Sequence, residues 1–161
     1  MGLFKNDDNR QRFIMREKLF SIGDDSWIET ENGERAFKVD GKALRVRDTF
    51  VLEDLAGNEV ARIQERKLNV RDTMKIERGG QELATVHKAL IGIRDRFDID
   101  LAGGGELKAK GNFLEHSYEI KRDGDVVADI SKKWVRVRET YGVEIEPGFD
   151  VALMLALTVA I

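Results

Sequence analysis

Cysteine is absent from this chain, and proline is represented by Pro147 alone. The first absence excludes disulfides, thiolate metal sites and cysteine nucleophiles, and it fits a cytoplasmic address. An excess of positive charge is also missing. The 27 basic and 30 acidic residues leave a formal net charge of −3, which argues against a dedicated nucleic-acid binder. Long hydrophobic runs are lacking too: the most apolar stretch, Val151 to Ile161, falls well short of the ~20 residues a transmembrane helix needs. The amino end, Met1 to Asp8, has no apolar signal-peptide core, and Asn6 stands where the myristoylation pattern requires Ser or Thr. Residues 1–11 read as a flexible lead-in. The remainder, 12–161, reads as one domain, large enough to bury a core.

What the chain does have is glycine at regular turn positions. Trp27–Thr30 and Arg35–Val39 flank Asn32-Gly33, and Phe50–Asp54 and Glu59–Ile63 flank Gly57-Asn58. Met74–Arg78 and Glu82–Val86 flank Gly79-Gly80, and Phe97–Leu101 and Glu106–Ala109 flank Gly103 to Gly105. Tyr118–Arg122 and Val126–Ile130 flank Asp123-Gly124. Each unit predicts a hairpin, because such glycines supply the positive φ of tight turns. Along the arms the period is two: Phe97, Ile99 and Leu101 share one face, Asp98 and Asp100 the other. That is the pattern of an antiparallel sheet with one buried face. Phe13–Leu19 has the same character, and Val135 and Val137 alternate with Arg136 and Arg138 in what reads as a further strand. The total is about twelve strands, and closure of the sheet removes the edges that serial hairpins would leave.

A short phrase also recurs, at Val46–Thr49, Val70–Thr73, Ile93–Arg96 and Val137–Thr140, with a weaker copy at Leu114–Ser117. Its arginines (Arg47, Arg71, Arg94 and Arg138) suggest a ring that holds an anion. Recurrence in every unit instead favours a structural joint between hairpins. After the last copy, Pro147-Gly148 ends the strands and Asp150 is placed to cap a helix reaching Ile161. That helix is apolar all round and must be enclosed on every side. The expected fold is therefore mainly β: a closed antiparallel barrel around a central hydrophobic carboxyl-terminal helix at about 150–161. Leu153, Met154, Leu157 and Ile161 are expected to pack on inward strand residues.

Met15-Arg-Glu-Lys-Leu-Phe-Ser-Ile-Gly-Asp-Asp-Ser-Trp-Ile28 resembles the opening of prokaryotic LURP-one-related proteins. So do Phe37-Lys-Val-Asp-Gly-Lys42, Arg47-Asp-Thr-Phe-Val-Leu-Glu-Asp-Leu-Ala-Gly57 and the apolar carboxyl segment, so that the similarity runs from about Arg12 to Ile161. The resemblance implies a tubby-like fold, a barrel of about twelve strands around a central helix. It carries no catalytic residue over to this chain. Tubby domains bind phosphoinositide headgroups through basic surface residues, a property that matches no motif here residue by residue.

No enzymatic machinery is legible. His87 and His116 lie in different units, each without the convergent ligands a metal needs. Ser21, Ser26, Ser117 and Ser131 sit in no nucleophile elbow, and Gly103–Gly105 lacks the Gly-Lys-Ser/Thr of a phosphate loop. Asp98 and Asp100 are explained as the wet face of a strand. No metal and no cofactor are expected. The sharpest local signal is Lys132, Lys133, Trp134, Arg136 and Arg138, where cations alternate with apolar residues beside an indole. Such a surface suits anionic lipid headgroups. The blander account is lysines guarding a strand edge. Lys38, Lys42, Arg45 and Arg47 form a weaker second patch. The expectation is a non-enzymatic cytoplasmic barrel, peripheral at the membrane, that binds anionic phospholipid headgroups or phosphorylated ligands. The alternative is a protein-interaction or scaffold domain with no small-molecule ligand.

Overall fold

The computed structural model describes residues 9–17, 26–40, 49–66, 73–91 and 94–161. Twelve antiparallel strands follow one another among these residues: β1 (Gln11–Arg16), β2 (Ser26–Thr30), β3 (Arg35–Asp40), β4 (Thr49–Asp54), β5 (Glu59–Arg66) and β6 (Thr73–Arg78), then β7 (Gln81–Ile91), β8 (Arg94–Leu101), β9 (Glu106–Asn112), β10 (Ser117–Arg122), β11 (Asp125–Ser131) and β12 (Thr140–Ile145). Each pairs with its neighbours in sequence, and β12 pairs with β1 along its whole length, from Thr140↔Arg16 to Ile145↔Gln11. The barrel is closed. The expected lead-in lies outside the described residues up to residue 8. Arg10 is joined to Glu144 and Glu146, at 3.3 and 2.7 Å, and Gln11 already belongs to β1.

The turn glycines account for one rim. Gly80 and Gly124 have φ of +82° and +87°, in the left-handed region where a side chain is strained. In the β4–β5 turn the Asp54 carboxylate accepts from the backbone N–H groups of Ala56 and Asn58, at 3.0 and 2.9 Å. These bonds hold the Asp54 carboxyl below its usual pKa. The opposite rim carries the other connections. Thr49, Thr73, Arg94, Ser117 and Thr140 each open a strand there, so the recurring phrase does mark the joints between hairpins. Thr49 and Thr140 are buried, and Thr140 donates its hydroxyl hydrogen to the Val137 carbonyl at 2.6 Å. Arg47 and Arg71, and the side chain of Arg94, fall outside the described residues, as do Lys42 and Arg45.

Inward-facing residues such as Met15, Ile28, Leu52, Ile63, Ile99 and Ile120 are fully buried, and they close around the helix α1 (Val151–Ala160). Leu153, Met154 and Leu157 are buried, whereas Ile161 is half-buried. Asp150 caps the helix by accepting from Leu153 N at 3.1 Å, satisfying a donor that the first turn cannot pair internally. Arg78, at the hairpin rim, grips the same carboxylate with two nitrogens at 2.8 and 2.9 Å. The helix therefore enters at the hairpin rim and runs toward the other. There Thr158 donates to the Met154 carbonyl at 2.9 Å and hydrogen-bonds with Tyr118, whose hydroxyl pKa burial pushes far up. The helix fills the interior. No helix of the described residues is long and apolar enough to cross a membrane.

Candidate anion-binding cleft

At the rim opposite the glycine hairpins, Lys132 and Val135–Thr140 of the β11–β12 connection line an open cleft with Glu17. Its volume is about 630 Å³. Glu17 follows β1 directly and donates its backbone N–H to the Glu139 carbonyl at 2.8 Å. Its carboxylate accepts a hydrogen bond from the Lys132 ammonium. That bond, with the nearby positive charge, holds the Glu17 carboxyl below its ordinary pKa. Glu139, with φ of +59°, turns the chain into β12.

Residues 132–138 are not a strand, and the expectation that Val135 and Val137 face inward on one is corrected. The segment that closes the barrel is Thr140–Ile145, which pairs with β1 and β11 together and turns Tyr141, Val143 and Ile145 into the core. Alternation of cations with valines is a local pattern that unpaired extended chain shows equally. Strand membership was decided by pairing at a distance. The chain leaves β11 where the Ser131 hydroxyl accepts from Lys133 N at 3.0 Å, a local bond that competes with the ladder. The described strands close into a barrel, so the lysines border no open sheet edge among the described residues.

Trp134 is explained by Gly142. The indole lies so close over this glycine that an added Cβ would stand 2.2 Å from Cζ2 and 2.3 Å from Cε2. Arg12 reaches over the same ring, its guanidinium carbon 5.9 Å from the centroid. The indole thus pins the connection to the outer wall of β12. Lys132 and Lys133 are exposed, the former tied to Glu17. Arg136 and Arg138 are exposed on the cleft, and neither forms an ion pair among the described residues. Lys38, of the second patch, lies on the outer wall with Glu53 at 3.6 Å.

The β9–β10 turn borders this site. His116 has φ of +50°, and its ring stacks on Tyr141 with centroids 4.1 Å apart and planes 6° from parallel. Burial lowers its pKa, helped by the Lys132 charge, while Glu17 and Glu115 oppose the shift. His87 instead meets Asp100 at 3.2 Å on the outer wall. Two features of the site were missed in sequence. Glu17 lies inside the family-like opening phrase, which assigns it no role, and Leu114, 93% exposed in the β9–β10 turn, has no sequence signal to separate it from a core leucine. The strand at Thr140–Ile145 was findable, since Tyr141, Val143 and Ile145 alternate with Gly142 and Glu144.

The uncharacterized protein YxjI of Bacillus subtilis is 22% identical over 148 residues, covering 92% of this chain and 90% of that protein. An X-ray structure of a protein from Arabidopsis thaliana matches with a TM-score of 0.71 at 22% identity, over 94% of this chain and 88% of the other. At that identity the likeness concerns the fold, a closed tubby-like barrel around its carboxyl-terminal helix. The LURP-one-related family matches residues 11–161, which take in all twelve strands and the helix: the chain belongs to that family.

Proposed function

We propose that this barrel is a non-enzymatic binding module for anionic ligands, phospholipid headgroups or phosphorylated molecules, held at the β11–β12 cleft. One observation carries the reading. Arg136 and Arg138 stand exposed on an open cleft with no carboxylate partner among the described residues, although 30 acidic residues populate this chain. Elsewhere on the wall Arg12, Lys75 and Arg96 meet the acids Glu144, Glu82 and Asp98, and where cations stand without an ion pair among the described residues, as Lys108, Lys110 and Lys121 do, they line no such cleft. A planar guanidinium suits two-point contact with phosphate oxygens. Lys133 adds a third exposed charge. Trp134, packed on Gly142, positions the loop and does not itself reach for the ligand.

Each such cation contributes about 1 kcal/mol near an anionic surface. Two charge reversals should therefore weaken binding by at least one order of magnitude. The test is co-sedimentation with vesicles that contain phosphatidylserine, together with titration by inorganic phosphate, at low and physiological salt. The expected result is binding that weakens as salt rises and is lost in Arg136→Glu/Arg138→Glu. Failure of the parent protein to bind either probe at low salt, where electrostatics is strongest, overturns the proposal.

A further inference from the structure

Two large apolar side chains are exposed at the rim that carries the cleft. Leu114 is 93% exposed at the tip of the β9–β10 turn, and Val137 is 56% exposed in the β11–β12 connection. A single exposed leucine means little on a soluble protein. Here the two stand on neighbouring connections of one rim, Val137 directly between Arg136 and Arg138. The connections are held together: His116 of the turn stacks on Tyr141 at the start of β12 and feels the charges of both Glu17 and Lys132.

The turn is fastened to the barrel by packing and hydrogen bonds. Phe113, the residue before it, is anchored beneath, edge-on to Phe97 at 4.8 Å and tilted on Tyr118 at 4.9 Å. Asn112 Oδ1 accepts from Glu115 N at 3.1 Å, and the Phe113 carbonyl accepts from His116 N at 3.3 Å. With Phe113 fixed inward and the backbone closed on itself, Leu114 projects away from the barrel.

The geometry points to end-on docking on a bilayer: we propose that Leu114 and Val137 enter the interfacial region of an anionic membrane while Arg136 and Arg138 hold its headgroups. This rests on the anion-binding reading and chooses the lipid over a soluble phosphorylated ligand. Charge decides the choice of occupant. The described cations of the rim (Lys132, Lys133, Arg136 and Arg138) stand against the carboxylates Glu17, Glu115, Asp129 and Glu139, with Lys132 spent on Glu17 and Lys133 acting on Asp129. The two arginines at the cleft therefore give weak attraction by themselves, and apolar insertion supplies the rest. Burial of each side chain is worth roughly tenfold in partitioning. Leu55, 64% exposed, is the internal contrast. It lies at the hairpin rim between Asp54 and Glu59 and has no cation in its turn.

The experiment compares the parent protein with Leu114→Asn, Val137→Asn and, as a control, Leu55→Asn, which remove apolar surface without adding charge. Each is assayed by co-sedimentation with phosphatidylcholine vesicles containing phosphatidylserine. The parent, Leu114→Asn and Leu55→Asn are also titrated with inorganic phosphate, followed by amide chemical shifts of residues 136–138. Expected is at least a tenfold loss of vesicle binding in Leu114→Asn and Val137→Asn, none in Leu55→Asn, and phosphate shifts in Leu114→Asn and Leu55→Asn equal to those of the parent. Equal vesicle binding by all four overturns the insertion and leaves anion binding intact. Phosphate shifts without vesicle binding by the parent also overturn it and point to a soluble ligand. Self-association that Leu114→Asn abolishes, without vesicle binding, overturns it in favour of a second copy. A parent that responds to neither probe removes the anion-binding reading and this inference together.

Discussion

A side chain at residue 142 and the indole of Trp134 cannot occupy the same space. The nearest ring atoms lie 2.2 and 2.3 Å from where a Cβ would sit, and an aromatic ring cannot retreat by a bond rotation when it is packed on backbone. Gly142→Ala should therefore expel the indole and loosen the connection that carries Arg136 and Arg138. The overpacking should cost on the order of 1–3 kcal/mol. That exceeds the ~0.5–1 kcal/mol gained by replacing a strand glycine with alanine. Chemical denaturation should show the loss. Tryptophan emission, from Trp27 and Trp134 alone, should shift to the red. The same close approach explains the half-burial of Trp134. A glycine's partner across a barrel wall leaves no trace in the local pattern.

At the scale of elements, α1 depends on Asp150, which serves the helix cap and the Arg78 ion pair at once. Both hold its carboxyl below the ordinary range, Arg78 most strongly. A depressed folded pKa contributes stability above the unfolded value of ~3.9, and that stability is lost as pH falls through the lower folded value. Asp150→Ala should cost about 1–2 kcal/mol, mostly through the cap, because the ion pair is more than a third exposed and worth less. Urea melts at several pH values should show this difference constant above about pH 5. It should shrink in acid. The cap, the helix and the hairpins were legible because each rests on a local requirement: a donor to satisfy, an apolar surface to enclose, a positive φ to adopt. Residues 132–138 were misread because the barrel is closed by whichever segment pairs with β1 and β11 together. That condition involves residues more than a hundred positions apart, Arg16 with Thr140 among them.

Taken whole, the molecule carries a net charge of −3, so any attraction to an anion depends on how charge is arranged at one rim. Glu17 is the residue that most limits it. Its carboxylate neutralises Lys132, while its backbone N–H to Glu139 O stitches β1 to the entry of β12. The two roles separate in Glu17→Gln, which keeps the backbone bond and the side-chain volume but removes the charge. An exposed ion pair contributes ~0–1 kcal/mol, so the melting temperature should barely move. Lys132, freed from its counter-ion, should then join Arg136 and Arg138 at the cleft. One added effective cation is worth about 1 kcal/mol at an anionic surface, or roughly fivefold in affinity. The gain should be largest at low salt and fade as the Debye length contracts. Vesicle co-sedimentation across a salt series measures it directly. Equal affinity of Glu17→Gln and the parent at every salt concentration would show that Lys132 faces no ligand, and the site would contract to the two arginines.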